Sequence, residues 1–358
     1  MIRATFTFLL LLASLTTTIL AQDGAPVTET VTYRVRQKVT ISEIARDAKR
    51  VDVWVSIPGD DRDQEVLDLD VVSSPGDWTP VQDAERRGRF IKVRVANPGK
   101  PSLDVVVDFV LRRRSSYVDL ESGATGVLND SMRRVLAPHL RLDAPHMEVT
   151  EAIRKLADET CGSETDLAKQ ALLLLERVAA DVDHYSKDPS KPSCGVGDAS
   201  ACMVQGGGCC TDLHSLFISL ARARGIPAKL QMGYRLREKN RGLETDPGYR
   251  CWVEYFVPGH GWIASDIVEA DGASSTERRR WLTGLTARRL WLNEGRDFVF
   301  AGSQVNAPVN HMSIAHAEID GWPARLLPEG DLRPQITRTV QFEEVSATAA
   351  TLDVAATH

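Results

Sequence analysis

The chain lacks a basic excess: its 43 lysines and arginines are outnumbered by 49 aspartates and glutamates, for a net charge of −6. A nucleic-acid surface therefore has nothing to rest on. The runs Arg112-Arg113-Arg114 and Arg278-Arg279-Arg280 read as solvated loop or strand-end charge. Beyond the N-terminus no apolar run is long enough to cross a membrane. There is no internal repeat. Cys209 and Cys210 are adjacent instead of two residues apart, and no histidine pair follows at finger spacing, so a zinc site is not expected. No EF-hand pattern or comparable carboxylate cluster offers a calcium site. The sequence thus predicts no metal and no cofactor.

What is present is the composition of a soluble globular protein, 43% hydrophobic and 26% charged, with 358 residues, enough for two domains. The first 21 residues read as a signal peptide. Arg3 supplies positive charge, Phe6 to Leu15 is largely apolar but too short to span, and Ile19-Leu20-Ala21 precedes a cleavage point at Gln22. An exported protein, periplasmic or secreted, is expected. Export permits disulfides among the six cysteines Cys161, Cys194, Cys202, Cys209, Cys210 and Cys251. A bridge between Cys194 and Cys202, which flank a short loop, fits the spacing. If Cys210 stays reduced, an odd number remains, so at least one more thiol is free.

Residues 22–120 read as a β-sandwich. Apolar and polar residues alternate from Val31 to Ile41 and from Arg50 to Ile57, and similar segments follow at Arg89 to Val95 and Leu103 to Leu111. A unit of this size is expected to fold by itself. The pattern then becomes helical over Val149 to Cys161 and Asp166 to Asp181. A Ser-, Pro-, Gly- and Lys-rich stretch from His184 to Gly208 reads as a long loop. An amphipathic helix with Leu213, Leu216, Phe217 and Leu220 on one face follows and ends at Gly225-Ile226-Pro227. Strands are expected at Lys229 to Leu236, Trp252 to Val257, Trp262 to Asp266, Arg289 to Leu292, Phe298 to Phe300, Ser313 to Asp320 and Pro334 to Glu344.

The chemistry concentrates at Gly208-Cys209-Cys210-Thr211-Asp212, where a glycine run meets the start of that helix. Unpaired N–H groups at a helix N-terminus favour a thiolate and can hold an oxyanion. About forty residues on comes Tyr249-Arg250-Cys251-Trp252-Val253-Glu254-Tyr255-Phe256-Val257-Pro258-Gly259-His260-Gly261-Trp262, closing on Asp266. Together the two segments resemble the transglutaminase-like superfamily of thiol enzymes. The resemblance implies an α+β chain: an N-terminal β-sandwich, then a transglutaminase-like, papain-type core over residues 145–325, with a C-terminal strand and frayed tail at 326–358. It also implies a peptide or protein substrate or ligand and a hydrolase or acyltransferase chemistry.

In that resemblance Cys210 is the nucleophile, because it lies two residues before the acid Asp212, and Asp266 is the acid that orients the catalytic imidazole. The position of that imidazole, two residues before Trp252, holds Arg250. Arginine stays protonated near neutrality and cannot accept and return a proton, so the site is expected to be degenerate and the chain a pseudoenzyme or binding module. It is also expected to pair with Asp266 and to favour a Cys210 thiolate. The alternative base is His214, one helical turn after Cys210. A further alternative is an active cysteine protease or acyltransferase that uses a histidine the sequence does not locate, such as His184. His260 is too far from Asp266 along an extended strand to share a triad with it.

Overall fold

The computed structural model describes residues 29–346 except 84, 86, 121–125, 193–195, 306, 313, 327, 328 and 330. The segment read as a signal peptide and Cys194 lie outside the described residues.

The sandwich is made of two antiparallel sheets. One runs in the order Ile336–Val345, Thr30–Ile41, Leu103–Arg114, Gln64–Ser73; the other in the order Trp322–Pro323, Ala315–Ile319, Arg50–Ile57, Arg89–Ala96, Asp77–Val81. The alternation of Thr30–Ile41 does what its period demands. Tyr33, Val35, Val39 and Ile41 face a dry core with Val53, Val55, Val105 and Phe109, while Arg34 and Arg36 are exposed.

Two boundaries need correction. The sandwich does not end at residue 120. Ala315–Ile319 pairs with Arg50–Ile57, and Ile336–Val345 pairs with Thr30–Ile41 along ten residue pairs. The last strands therefore belong to the first domain, not to the 145–325 core or to a separate tail. The two domains also share a core: Tyr234, Leu236, Leu290 and Leu292 pack into the sandwich interior, and the Tyr234 hydroxyl donates to Gln37 Oε1 at 3.0 Å.

The second unit begins with helices Glu151–Cys161 and Leu167–Asp181, capped by Thr150 and Asp166, whose side chains accept from Ile153 and Lys169 N–H. Within the expected 184–208 loop lies a short helix, Ala199–Gln205, capped by Asp198. Only Ala199 and Cys202 of it are buried, too few to write an apolar period into the sequence. The helix Cys210–Ala223 is not amphipathic in place, because every residue from Cys210 to Arg222 is buried. It packs against a four-stranded antiparallel sheet in the order Gly261–Ser265, Arg250–Val257, Ala228–Arg235, Arg289–Glu294. It stops where Gly225 adopts φ +72°. Phe298 and Phe300 form isolated bridges to Val309 and Asp83 instead of a strand, and their rings pack with Trp54 and Phe90.

Candidate active site

Cys210 is the first residue of the buried helix and is 4% exposed. The glycine before the cysteine pair is dictated by packing. A Cβ on Gly208 would lie 2.6 Å from Asp212 Cβ, closer than carbon atoms approach. Asp212 fills that space and reaches back, accepting from Cys209 N–H at 2.9 Å and from Asp198 N–H at 3.2 Å. This is the capping role its place in the first turn suggests.

Arg250 opens the strand Arg250–Val257. Asp266 follows the strand Gly261–Ser265 and caps a short helix, Ile267–Ala270, accepting from Val268 N–H and Glu269 N–H at 3.1 and 3.2 Å. Because the two strands are antiparallel neighbours, their open ends bring Arg250 onto Asp266. Arg250 Nε donates to Asp266 Oδ2 at 2.9 Å and Nη2 to Oδ1 at 3.2 Å, with a further bond from Nη2 to Glu269 Oε1 at 3.0 Å. A second guanidinium, missed by sequence reasoning, approaches from the start of Arg289–Glu294, the strand at the far edge of the sheet. Arg289, fully buried near Trp252 and Trp281, places Nη2 2.7 Å from Asp266 Oδ2. Arg235 pairs with Glu269. Burial opposes ionisation of Asp266, but Arg250 and Arg289 outweigh it and hold the carboxyl well below the usual carboxylate range.

The thiol does not follow the expectation drawn from its helix position. A hydrogen bond with Cys209 favours the Cys210 thiolate, and Arg250 adds to that. Contact with the Cys251 thiol and burial act the other way, and the balance raises the Cys210 pKa above the ordinary thiol range. Cys210 is thus buried, and its surroundings in the fold push the thiol pKa upward and not downward as the helix start alone would.

His214 does not face Cys210 as a free base. Its Nε2 accepts from Ile267 N–H at 3.2 Å, so the ring proton resides on Nδ1, 3.3 Å from Cys251 Sγ. Burial, opposed by Asp266 and reinforced by Arg250 and Arg289, pushes its pKa down to about 4. His184, which the sequence does not locate, lies beside the site. It pairs in parallel with Gly208, two residues before Cys210, and burial together with Arg250 and His214 pushes its pKa down to about 4. Its Nδ1 accepts from Ser186 N–H at 3.2 Å. His260 occupies the turn at the other end of the hairpin.

Cys202 is a free buried thiol, as are Cys161, Cys210 and Cys251; the partner weighed for Cys202, Cys194, lies outside the described residues. Among the described residues no group of three histidine, cysteine or acidic side chains is placed to hold a metal ion. No helix among them is long and apolar enough to cross a membrane.

Residues 154–267 match the family described as the transglutaminase-like superfamily. That span contains Cys210, Arg250 and Asp266, and the chain carries a transglutaminase-like core. A Haemophilus influenzae protein described only as uncharacterized is 28% identical over 209 residues, which span 50% of this chain and 56% of that protein. The chain thus covers about half the length of this relative. Among solved structures, one from Cytophaga hutchinsonii described as a putative cysteine protease superposes with a TM-score of 0.56 at 16% identity, covering 88% of this chain and all (100%) of that one. It shares the fold. The periplasmic domain of TgpA from Pseudomonas aeruginosa is more distant, with a TM-score of 0.32 and 18% identity over 70% of this chain and 92% of that one.

Proposed function

We propose that this is a cell-envelope protein whose transglutaminase-like core has lost efficient acyl transfer and serves to bind a peptide or protein segment. One observation carries the reading: Arg250 stands where the superfamily resemblance requires an imidazole, and two hydrogen bonds commit it to the acid meant to orient that imidazole. A guanidinium there holds Asp266 ionised but cannot take the thiol proton or return it to a leaving amine. The raised pKa of Cys210 and the engagement of both His214 nitrogens support the same reading. Export is part of the proposal and rests on the N-terminal sequence.

The rival reading is an active thiol hydrolase or acyltransferase with a relocated base. The position of His184 beside Gly208 favours it over one based on His214. Steady-state assays of peptide-amide hydrolysis and amine incorporation by the intact protein separate the two. Little or no turnover is expected. Turnover abolished by both Cys210→Ala and His184→Ala would replace the binding reading with the catalytic one.

A further inference from the structure

A cleft of about 880 Å³ opens between the sandwich, which supplies Glu85 and Arg87 to its wall, and the core, which supplies Arg222, Leu230 and Asp297. Most of its charged groups answer one another. Arg87 lies 2.9 Å from Asp83 and 3.5 Å from Glu85, Arg141 lies 3.3 Å from Asp143, and Lys229 lies 2.7 Å from Glu294. Two groups of opposite sign are left over. Arg222, 6% exposed, has no carboxylate partner among the described residues and donates to the carbonyls of His139, Arg141 and Ala228. These bonds use one N–H on each Nη and leave the other unspent. Burial and Arg141 push its pKa down to about 10, opposed by Asp143. At the other end, the Asp297 carboxylate accepts no hydrogen bond among the described residues, and its ion pair with Arg296 Nε is long, at 3.6 Å. Arg296 itself is sealed in and spends its Nη groups on the carbonyls of Val196 and Gly197. Burial raises the Asp297 pKa although Arg296, His146 and Arg87 act against it, so a further cation beside it is favoured. The helix Cys210–Ala223 sets the spacing. Arg296 Nη1 reaches Ser215 Oγ at 3.4 Å, and Arg222 lies two turns further along the same helix face, about 10 Å away along the axis.

We infer that this cleft receives a short peptide with both termini free, its α-ammonium group at Asp297 and its C-terminal carboxylate at Arg222. An unanswered carboxylate and an unanswered guanidinium at opposite ends select a zwitterion. A simple anion would leave Asp297 without a partner, and a simple cation would meet Arg222. The two unspent N–H groups of Arg222 match the two oxygens of a carboxylate. An extended chain covers at most about 3.3–3.6 Å per residue, so three residues bridge the gap. Pro138, Pro145, Met147 and Leu230 give apolar wall for the side chains between, and the volume falls within the range of about 300–1,000 Å³ usual for ligand sites. Cys210, Arg250 and Asp266 do not line the cleft, so a ligand there is independent of the chemistry at the thiol.

The test is calorimetric titration of the full chain with trialanine, N-acetyl-trialanine, trialanine amide and dialanine at low salt. Trialanine is expected to bind at least about tenfold more tightly than either blocked peptide, the scale of a charge-assisted contact. Dialanine, too short for both ends at once, should bind less tightly by a similar factor. Arg222→Gln should erase the preference over the amide and keep that over the acetylated peptide, and Asp297→Asn should do the reverse. If Arg222→Gln fails to fold, Arg222→Lys serves instead; it keeps the charge but loses the planar donors, and should weaken the preference over the amide. Cys210→Ala should leave the affinity for trialanine unchanged. No binding of trialanine, equal affinity for free and blocked peptides, dialanine binding as tightly as trialanine, or preferences that survive Asp297→Asn and Arg222→Gln or Arg222→Lys overturn the inference. Loss of binding in Cys210→Ala also overturns it, and places the peptide at the thiol, where the proposed function alone would have it.

Discussion

Arg250 and Asp266 are joined by two hydrogen bonds of 2.9 and 3.2 Å across the open end of a β-hairpin. They stand at the positions where the superfamily resemblance sets a catalytic imidazole and the acid that orients it. On the function proposed above, the pair keeps the geometry of an orienting contact and lacks its chemistry: charge is fixed where a proton would have to move.

Restoring the imidazole should restore chemistry. Arg250→His is expected to raise amide-directed acyl transfer by about 10²–10⁴-fold, the usual contribution of a positioned general base. Arg289 remains to hold Asp266 ionised, 2.7 Å away. The measurement compares wild type, Arg250→His and Arg250→His combined with Cys210→Ala in hydrolysis and amine-incorporation assays. A folded Arg250→His protein without gain would mean that the occluded thiol, and not the missing base alone, silences the site.

Cys210 should be slow to alkylate in the native protein near neutral pH, because it is buried and its thiol is shifted upward. Iodoacetamide labelling followed by peptide mass spectrometry is expected to modify Cys210 rapidly only after unfolding. Labelling at the rate of a free thiol in the folded state would contradict the protonated, closed site.

The buried imidazole of His214 makes stability depend on pH. Its pKa falls from 6.5 unfolded to about 4 folded, so between these values the unfolded chain binds the extra proton. The contribution is fully present above pH 6.5 and is lost as pH falls toward 4. The loss amounts to about 3 kcal/mol for this group alone. Urea unfolding across this range should show stability falling with acidity, and His214→Asn should flatten the slope. A wild-type profile level over that range would rule out a neutral, buried His214.

Asp266→Ala should destabilise the fold by about 3–5 kcal/mol, because it leaves Arg289 and Arg250 buried without their shared counter-ion. Arg36→Ala removes only an exposed pair with Asp108 and should cost less than about 1 kcal/mol. Chemical denaturation of the two variants checks the contrast.

A fragment of residues 22–120 should lack a cooperative unfolding transition. It omits Ala315–Ile319 and Ile336–Val345, which complete both sheets, and it exposes the surface that Tyr234 and Leu290 cover. Circular dichroism on thermal or urea unfolding decides this, and a sharp transition would show that the sandwich tolerates both open edges.

Local order was open to reading from the chain alone. The strands at residues 30–41 and 50–57 carry a period of two because one face of each is dry or paired against a core. The Cys210 helix carries its own stop signal in Gly225-Ile226-Pro227. That Arg250 falls where the resemblance sets an imidazole was readable because the spacing of Trp252, Pro258, Gly261, Trp262 and Asp266 sets its register. What stayed hidden depends on contacts between residues far apart in sequence. No local pattern says that Ile336–Val345 returns to the first strand, that Arg289 supplies a second cation to Asp266, or that His184 lies beside Gly208. The Cys210 thiol shows the limit most sharply. Its place at a helix start, and the arginine forty residues on that the resemblance sets at the site, argue for a thiolate. Burial and the Cys251 thiol, which only the folded core brings to it, decide for the protonated form. The sequence thus determined the elements and the identity of the residues at the site, while the tertiary structure determined their charge states, because desolvation and ion pairing exist only once the chain has closed around them.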